Sequence, residues 1–424
     1  MRAVLWLLAL FGVAVAVALF AGNNQGTVTL FWPPHRIDLS LNMALLVLVG
    51  GFLVVYAALR ALAALFDLPR QARRWRALRR ERAVHAALID ATSQLIAGRY
   101  SRARRQAETA AEQQQSIDAS DHPLDNGRQI QALAYLLAAE SAHALQDRDA
   151  REALLLKVAG LAAHRPTPGL QHVHEGSLMW AARWALEDQD AERALERLSQ
   201  LPQGAARRTL ALRLRLRASQ QARRTVGALD TARLLAKHRA LSPLAAQSLR
   251  RSLAVEWLAQ AHDAEQLRQT WLQLDAAERA LPEVALRAAA RLHALGGDTA
   301  QAREWLVPVW EQQQALTPAL RERLMVVIEL TLDSIDAAWL ARIEQAQRAR
   351  PGDALLLYLA GMACMRRQLW GKAQQLLAQA AQTLQSADLQ ARAWVALADL
   401  AEQRGEPDAA AQAYRRAACI DRTR

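Results

Sequence analysis

Ten histidines and two cysteines are the residues of this 424-residue chain whose types could ligate a metal or pair a nucleophile with a base. Their spacing argues against both. No histidine stands in an HExxH pattern, and His172-x-His174 is the one close pair. On a helix, residues two apart face different sides, so this pair could share a ligand only in an extended turn. The nearby Pro166-Thr-Pro168-Gly169 stretch permits a loop. A third ligand is still missing, and ordinary surface histidines are expected. Cys364 and Cys419 form no CxxC and no Cys/His metal spacing. Two distant thiols fit a reducing compartment without a disulfide framework, and both are expected as small core residues. Gly-rich phosphate loops are absent. Asp and Glu interleave with Arg along helix faces, the pattern of solvated surface. The chain reads as a binding scaffold, with no catalytic residue and no metal ligand assigned.

What positions such a scaffold is written at the front of the chain. Ala3–Ala21 and Leu41–Leu59 are uncharged apolar segments of 19 residues each. As helices they would each span about 29 Å, the hydrocarbon thickness of a bilayer. A cleaved signal peptide is the rival for the first, with small-residue sites at Ala14-Val-Ala16 and Ala16-Val-Ala18; its single Arg2 and its length favour a membrane helix. The loop 22–40 carries only Arg36 and Asp38. Beyond the second segment come Arg60, Arg70, Arg73, Arg74, Arg76, Arg79, Arg80 and Arg82, against Asp67 and Glu81. Positive flanks stay on the cytoplasmic side, so both termini are expected there, in a multi-pass arrangement. Within the loop, Thr27–Trp32 is β-prone, Pro33-Pro34 turns the chain and Arg36–Ser40 alternates. A small hairpin is expected, with Phe31 and Trp32 at headgroup level.

The net charge of +12 owes much to the arginine run. Its position at a membrane boundary assigns Arg70, Arg73, Arg74, Arg76, Arg79 and Arg80 to lipid contact, each worth about 1 kcal/mol. No nucleic-acid partner is called for. The expected division is a membrane hairpin at 1–66, a basic juxtamembrane helix at 67–83 and a helical region at 84–424.

From Val84 onward Ala, Leu, Gln, Arg and Glu dominate, which argues for helix nearly throughout. Gly98, Pro123, Pro166/Pro168, Pro202, Pro243, Pro282, Gly296-Gly297, Pro308, Pro351 and Gly405 break this region into stretches of helical-hairpin size. The clearest unit is 354–387. Gly361 stands where one helix would pack closely on its partner, and Ala373 and Ala380 are the small residues of the second helix. The unit 391–424 repeats the logic with Trp394, Leu397, Ala398, Gly405, Ala410, Tyr414 and Ala417. Both resemble the tetratricopeptide repeat, a helix-turn-helix of about 34 residues. Weaker copies are marked by Gly98, Ala103, Ala107 and Ala110, by Ala290, Gly297, Ala302 and Leu306, and by Ala153 and Ala194; between Pro202 and Pro282 the match is poor. The fold class is therefore all-α, a two-helix transmembrane hairpin followed by a tetratricopeptide-type α-solenoid. Trp180, Trp184, Trp257, Trp271, Trp305, Trp310, Trp339 and Trp370 are expected mostly as packing residues. A groove on the first helices would carry Tyr358, Met362, Met365, Arg366 and Arg392, a surface suited to a peptide or an anionic amphipathic molecule. The competing role for the two methionines is core filling.

The combination is more specific than its parts. It comprises the two apolar segments, a loop ending in Asp38-Leu-Ser-Leu41, and an exit containing Leu68-Pro-Arg70 and Arg73-Arg-Trp-Arg76. Ala97-Gly-Arg-Tyr100-Ser-Arg-Ala103 and the repeat tail follow. Over essentially its full length the chain resembles the HemY family of bacterial inner-membrane proteins associated with haem biosynthesis. The resemblance implies a solenoid facing the cytoplasm, acting late in the porphyrin pathway, with late-pathway enzymes as partners. The residues themselves call for no cofactor; porphyrin or haem enters only through the resemblance, as the ligand of the carrier alternative. A flavin-dependent oxidase that shares the name is excluded, because its GxGxxG strand-turn-helix is missing. A scaffold for envelope (lipopolysaccharide) assembly and a porphyrin-binding carrier are the alternatives.

Overall fold

The computed structural model describes residues 11–13, 15, 26–119, 126–164 and 166–421. The segment Ala3–Ala21 and Pro123 lie largely or wholly outside them, so only the second helix of the expected membrane hairpin is described.

The expected loop hairpin forms. Strands β1 (Thr27–Trp32) and β2 (His35–Ser40) pair antiparallel, with Thr27 opposite Ser40 and Trp32 opposite His35. Pro33-Pro34 makes the turn. Ser40 then caps the next helix, its Oγ accepting from the Met43 N–H at 3.4 Å, so strand passes into helix without a linker.

That helix, α1, runs unbroken from Leu41 to Ile96, 56 residues or about 84 Å. Its first part, Leu41–Leu62, has mean hydropathy 2.3 and no buried share, and is long and apolar enough to cross a membrane. Its last part buries Val84 and Ala91 completely. The boundaries expected near 66 and 83 therefore fall inside one helix. No glycine interrupts that stretch, and Pro69, which removes one backbone hydrogen bond and crowds the carbonyl four residues earlier, is accommodated inside the helix. Arg70, Arg73, Arg74, Arg76, Arg79 and Arg80 all lie within α1. Arg79 is exposed, 5.2 Å from the ring centroid of the exposed Trp75.

The chain divides into two compact units, Met1–Val173 and His174–Arg424. In the first, the helix Tyr100–Asp118 folds back on α1 after a turn at Gly98, whose φ of 73° suits glycine. Ala103, Ala107 and Ala110 are buried at that contact, as their spacing predicts. Helices Gly127–Ala144 and Arg148–His164 follow as the next antiparallel pair. Ala153 is exposed there, and Leu154 and Leu155 carry the packing instead.

In the second unit the helices beginning at Pro243, Pro282, Pro318, Ala354 and Ala387 each pack on the next, and their starts fall 33 to 39 residues apart. Proline at the first helical turn sets three of these starts, because its missing N–H has no partner there anyway. Pro308, read as a breaker, lies inside the helix Thr299–Glu311. The turns inside hairpins use left-handed residues at Gly296, Gly405 and Gln368, with φ of 68°, 72° and 59°. One apolar core runs from Ala228 to Leu400. It includes Trp271, Trp310 and Trp339, with Trp305 stacked on Trp271 at 4.7 Å. All eight tryptophans named above are buried or half-buried.

Gly361 does what its place in the repeat predicts. A Cβ there would lie 2.6 Å from Leu377 Cγ and 3.3 Å from its backbone nitrogen. Gly361→Ala is expected to destabilise the last hairpins by about 1–3 kcal/mol through overpacking. A lowered urea midpoint checks this; unchanged stability would mean that the two helices separate freely.

Candidate functional site

Three of the five groove candidates, Tyr358, Arg366 and Arg392, act on one carboxylate that the sequence did not single out, Glu329. Glu329 ends the helix Pro318–Glu329. Tyr358, on the helix Ala354–Arg366, donates its hydroxyl to Glu329 Oε2 at 2.8 Å. Arg392, on the helix Ala387–Gln403, places Nη1 3.6 Å from the same oxygen and donates Nε to Asp388 at 3.1 Å. Arg366 pairs with Asp333 at 3.0 Å. Three successive first helices thus contribute Glu329, Tyr358 and Arg392 in turn.

The five side chains play two roles. Tyr358 is fully buried and Met362 is 8% exposed, so both fill the core between helices. Met365 packs against that core from its edge. These three do not offer an open apolar groove; volume and apolar contact hold them inside. Arg366 and Arg392 remain exposed, at 50% and 42% of their side chains. Both arginines are already paired with carboxylates, Arg366 with Asp333 and Arg392 with Glu329 and Asp388, beside the tyrosine–glutamate hydrogen bond.

Burial lifts the Glu329 carboxyl above the ordinary value of 4.5, while the Tyr358 hydrogen bond, Arg392 and Arg366 oppose the shift. Burial, followed by the adjacent Glu329 charge, pushes the Tyr358 phenol far above its usual range. The sign for stability follows. A carboxyl raised in the folded state contributes fully below the unfolded value and loses that contribution as pH rises through the folded one. The resistance of the wild type to chemical denaturation should fall as pH rises above 4.5, relative to Glu329→Gln, which keeps an acceptor for Tyr358. Parallel pH profiles for the two proteins would contradict this.

The other chemistry-bearing residues stay apart. His172 and His174 lie on one helix, Pro168–Glu187, with His172 exposed and His174 half-buried, so no extended turn brings them together. Burial lowers the His174 pKa, against the adjacent Glu175. Among the described residues no group of three or more His, Cys, Asp or Glu is placed to hold a metal ion. Cys364 is buried and its thiol pushed up by burial; Cys419 is exposed, contrary to the core position expected. In the last hairpin Tyr414 donates to Asp399 at 2.8 Å and its phenol is pushed up to about 12, chiefly by that bond. Arg416 stands 4.6 Å from the Trp394 ring centroid.

Residues 26–146 match the family model described as the HemY protein N-terminus. No curated protein matches the chain. Solved structures that match include Naa15/Naa10 bound to HypK-THB, at 14% identity and TM-score 0.25, covering 78% of this chain and 57% of that one. Yeast Tom70 matches at 11% identity and TM-score 0.25, covering 72% and 61%. The P58(IPK) TPR domain matches at 14% identity and TM-score 0.24, covering 76% and 99%. The chain spans about three fifths of the length of the first two. The reading of the fold rests on the helices of this chain and not on these likenesses.

Proposed function

We propose, from the premise that this chain belongs to the HemY family through residues 26–146, that it is a membrane-anchored, non-catalytic scaffold. It serves a late step of porphyrin and protohaem biosynthesis. The carrying observation is the continuity of α1: the membrane-length segment Leu41–Leu62 and the first helix of the hairpin array are one element. A platform mounted this way keeps bound enzymes at the membrane. Co-localisation raises their effective concentration without any catalytic residue. In this reading the protein is a multi-pass protein of the bacterial inner membrane with both termini cytoplasmic. On an unbroken α1 Arg70 lies about 12 Å and Arg80 about 27 Å past Leu62, so the attraction to anionic headgroups, about 1 kcal/mol per arginine at the surface, is strongest at Arg70 and fades along the run. The haem association comes from the family alone.

Affinity capture of the tagged full chain from detergent-solubilised membranes tests the assignment. Co-purification of late porphyrin-pathway enzymes is expected, together with altered porphyrin pools when the gene is deleted. Recovery of lipopolysaccharide-assembly factors with unchanged porphyrin and haem would replace this reading with an envelope scaffold. A Soret shift on titrating the purified chain with porphyrin at micromolar concentration would replace it with a carrier.

A further inference from the structure

The β1–β2 hairpin is two-faced. In an antiparallel pair, directly opposed residues share a face and successive residues alternate. The register opposes Val28 to Leu39, Leu30 to Ile37 and Trp32 to His35. One face is therefore apolar from base to tip, apart from His35. The other carries Thr27 with Ser40, Thr29 with Asp38 and Phe31 with Arg36. On it Arg36 stands 5.8 Å from the Phe31 ring centroid and 3.4 Å from Asp38.

Among the described residues nothing covers the apolar face beyond its base. Leu30 is 51%, Trp32 74% and Ile37 48% exposed. Two strands alone are marginal in water, so this face needs a non-aqueous neighbour. The covalent geometry says which. β2 ends at Ser40, the cap of α1, and the Leu41 N–H donates to Gly26 O at 2.8 Å, closing the hairpin base onto the first residue of the membrane-length helix. Six residues per strand reach about 20 Å from that point. A hairpin starting at the edge of the hydrocarbon thus lies within or just above the headgroup layer, where Trp is enriched.

The geometry points to the lipid headgroup region of the leaflet entered at Leu41 as the occupant of this face. The hairpin lies along the surface with Leu30, Trp32 and Ile37 inserted, while Phe31 stays on the watery side, held by Arg36. This departs from the expectation that Phe31 and Trp32 enter together. It makes the hairpin a second membrane contact that fixes the depth and tilt of α1. The inference rests on Leu41–Leu62 spanning the bilayer.

The full chain, with Cys364→Ser and Cys419→Ser, is reconstituted in phosphatidylcholine–phosphatidylglycerol liposomes. Single labelling sites are made by Ile37→Cys, Asp38→Cys or Leu46→Cys and reacted with a nitrobenzoxadiazole dye. The expected result is a blue-shifted label at 37, quenched by shallow spin-labelled lipid and several-fold less sensitive to aqueous iodide than the label at 38. The label at 46 should respond to deep spin-labelled lipid. Equal iodide quenching at 37 and 38, with 46 still lipid-quenched, overturns the hairpin contact and leaves the span standing. Iodide access at 46 overturns both. Protection at 37 without lipid quenching means that a protein covers the face, and it overturns the lipid assignment.

Discussion

Glu278→Ala should cost the second unit about 2–4 kcal/mol, from breaking a buried ion pair whose full loss is worth about 3–5. Glu278 is fully buried. It accepts Arg233 Nε at 3.0 Å and Nη2 at 2.6 Å, a bidentate pair, and also the Asp275 N–H at 3.0 Å. The same hydrogen bonds raise the Arg233 pKa. The pair ties the helix Thr225–Lys237 to the short helix Ala276–Arg279, 45 residues later. Removing the carboxylate strands a guanidinium with only 24% of its side chain exposed. Asp230 and Asp275, at 3.0 and 3.2 Å, still neutralise part of that charge, which is why the lower part of the range is expected. Urea unfolding measures the loss. Arg233→Met with Glu278→Met should cost less than either single change, because no unpaired charge then remains inside. A strictly additive double mutant would show that the pair is not coupled.

Arg303→Leu should cost about 1–3 kcal/mol, the loss of the donor to the buried Thr331 carbonyl, since the Ser334 carbonyl that it also serves belongs to an exposed residue and can turn to water. Arg303 is 1% exposed. It donates Nη1 to Thr331 O, and Nη2 to Ser334 O at 2.8 Å. Both carbonyls lie in the turn between the helix Pro318–Glu329 and the helix Ala337–Ala349, where backbone oxygens lack helical partners. Burial draws the Arg303 pKa down while Asp336 and Asp298 hold it up. Leucine fills the space but donates nothing. Lysine offers a point charge that cannot fork to both oxygens, so Arg303→Lys should fall between the two. Amide exchange over residues 331–336 should accelerate ahead of the rest, since a hairpin array transmits loss mainly to neighbours. A change within about 0.5 kcal/mol, the range of ordinary surface substitutions, would remove Arg303 from the structural account.

Neither residue stood out in the sequence. Glu278 and Arg303 look like members of charge-interleaved helix faces, and that pattern ordinarily lies in solvent. Their partners are 45 and 28–31 residues away, on other helices, and no local spacing encodes such distances. Gly361 is the opposite case. Its partner Leu377 belongs to the next helix of the same hairpin, and the repeat spacing already placed the contact. The site divides along the same line. Tyr358, Arg366 and Arg392 were legible as residue types on first helices. The carboxylate joining Tyr358 to Arg392, Glu329, sits one repeat earlier and carried no signal of its own.

The sequence by itself determined the helical character, the β-hairpin at 27–40, the membrane-length apolar segment and the hairpins of the last 75 residues. These depend on periodicity, turn chemistry and composition, which act over a few residues. Only the tertiary structure decided that α1 joins that segment to the first hairpin without a break, because Asp67 and Pro69 by themselves would allow one helix to end and another to begin there. It also sent Met362 and Tyr358 inward, left Ala153 and Cys419 outside, and kept His172 and His174 on a continuous helix. Those outcomes turn on which face of each helix meets its neighbour. Residues 30 to 45 positions apart settle that by competing for the same buried volume.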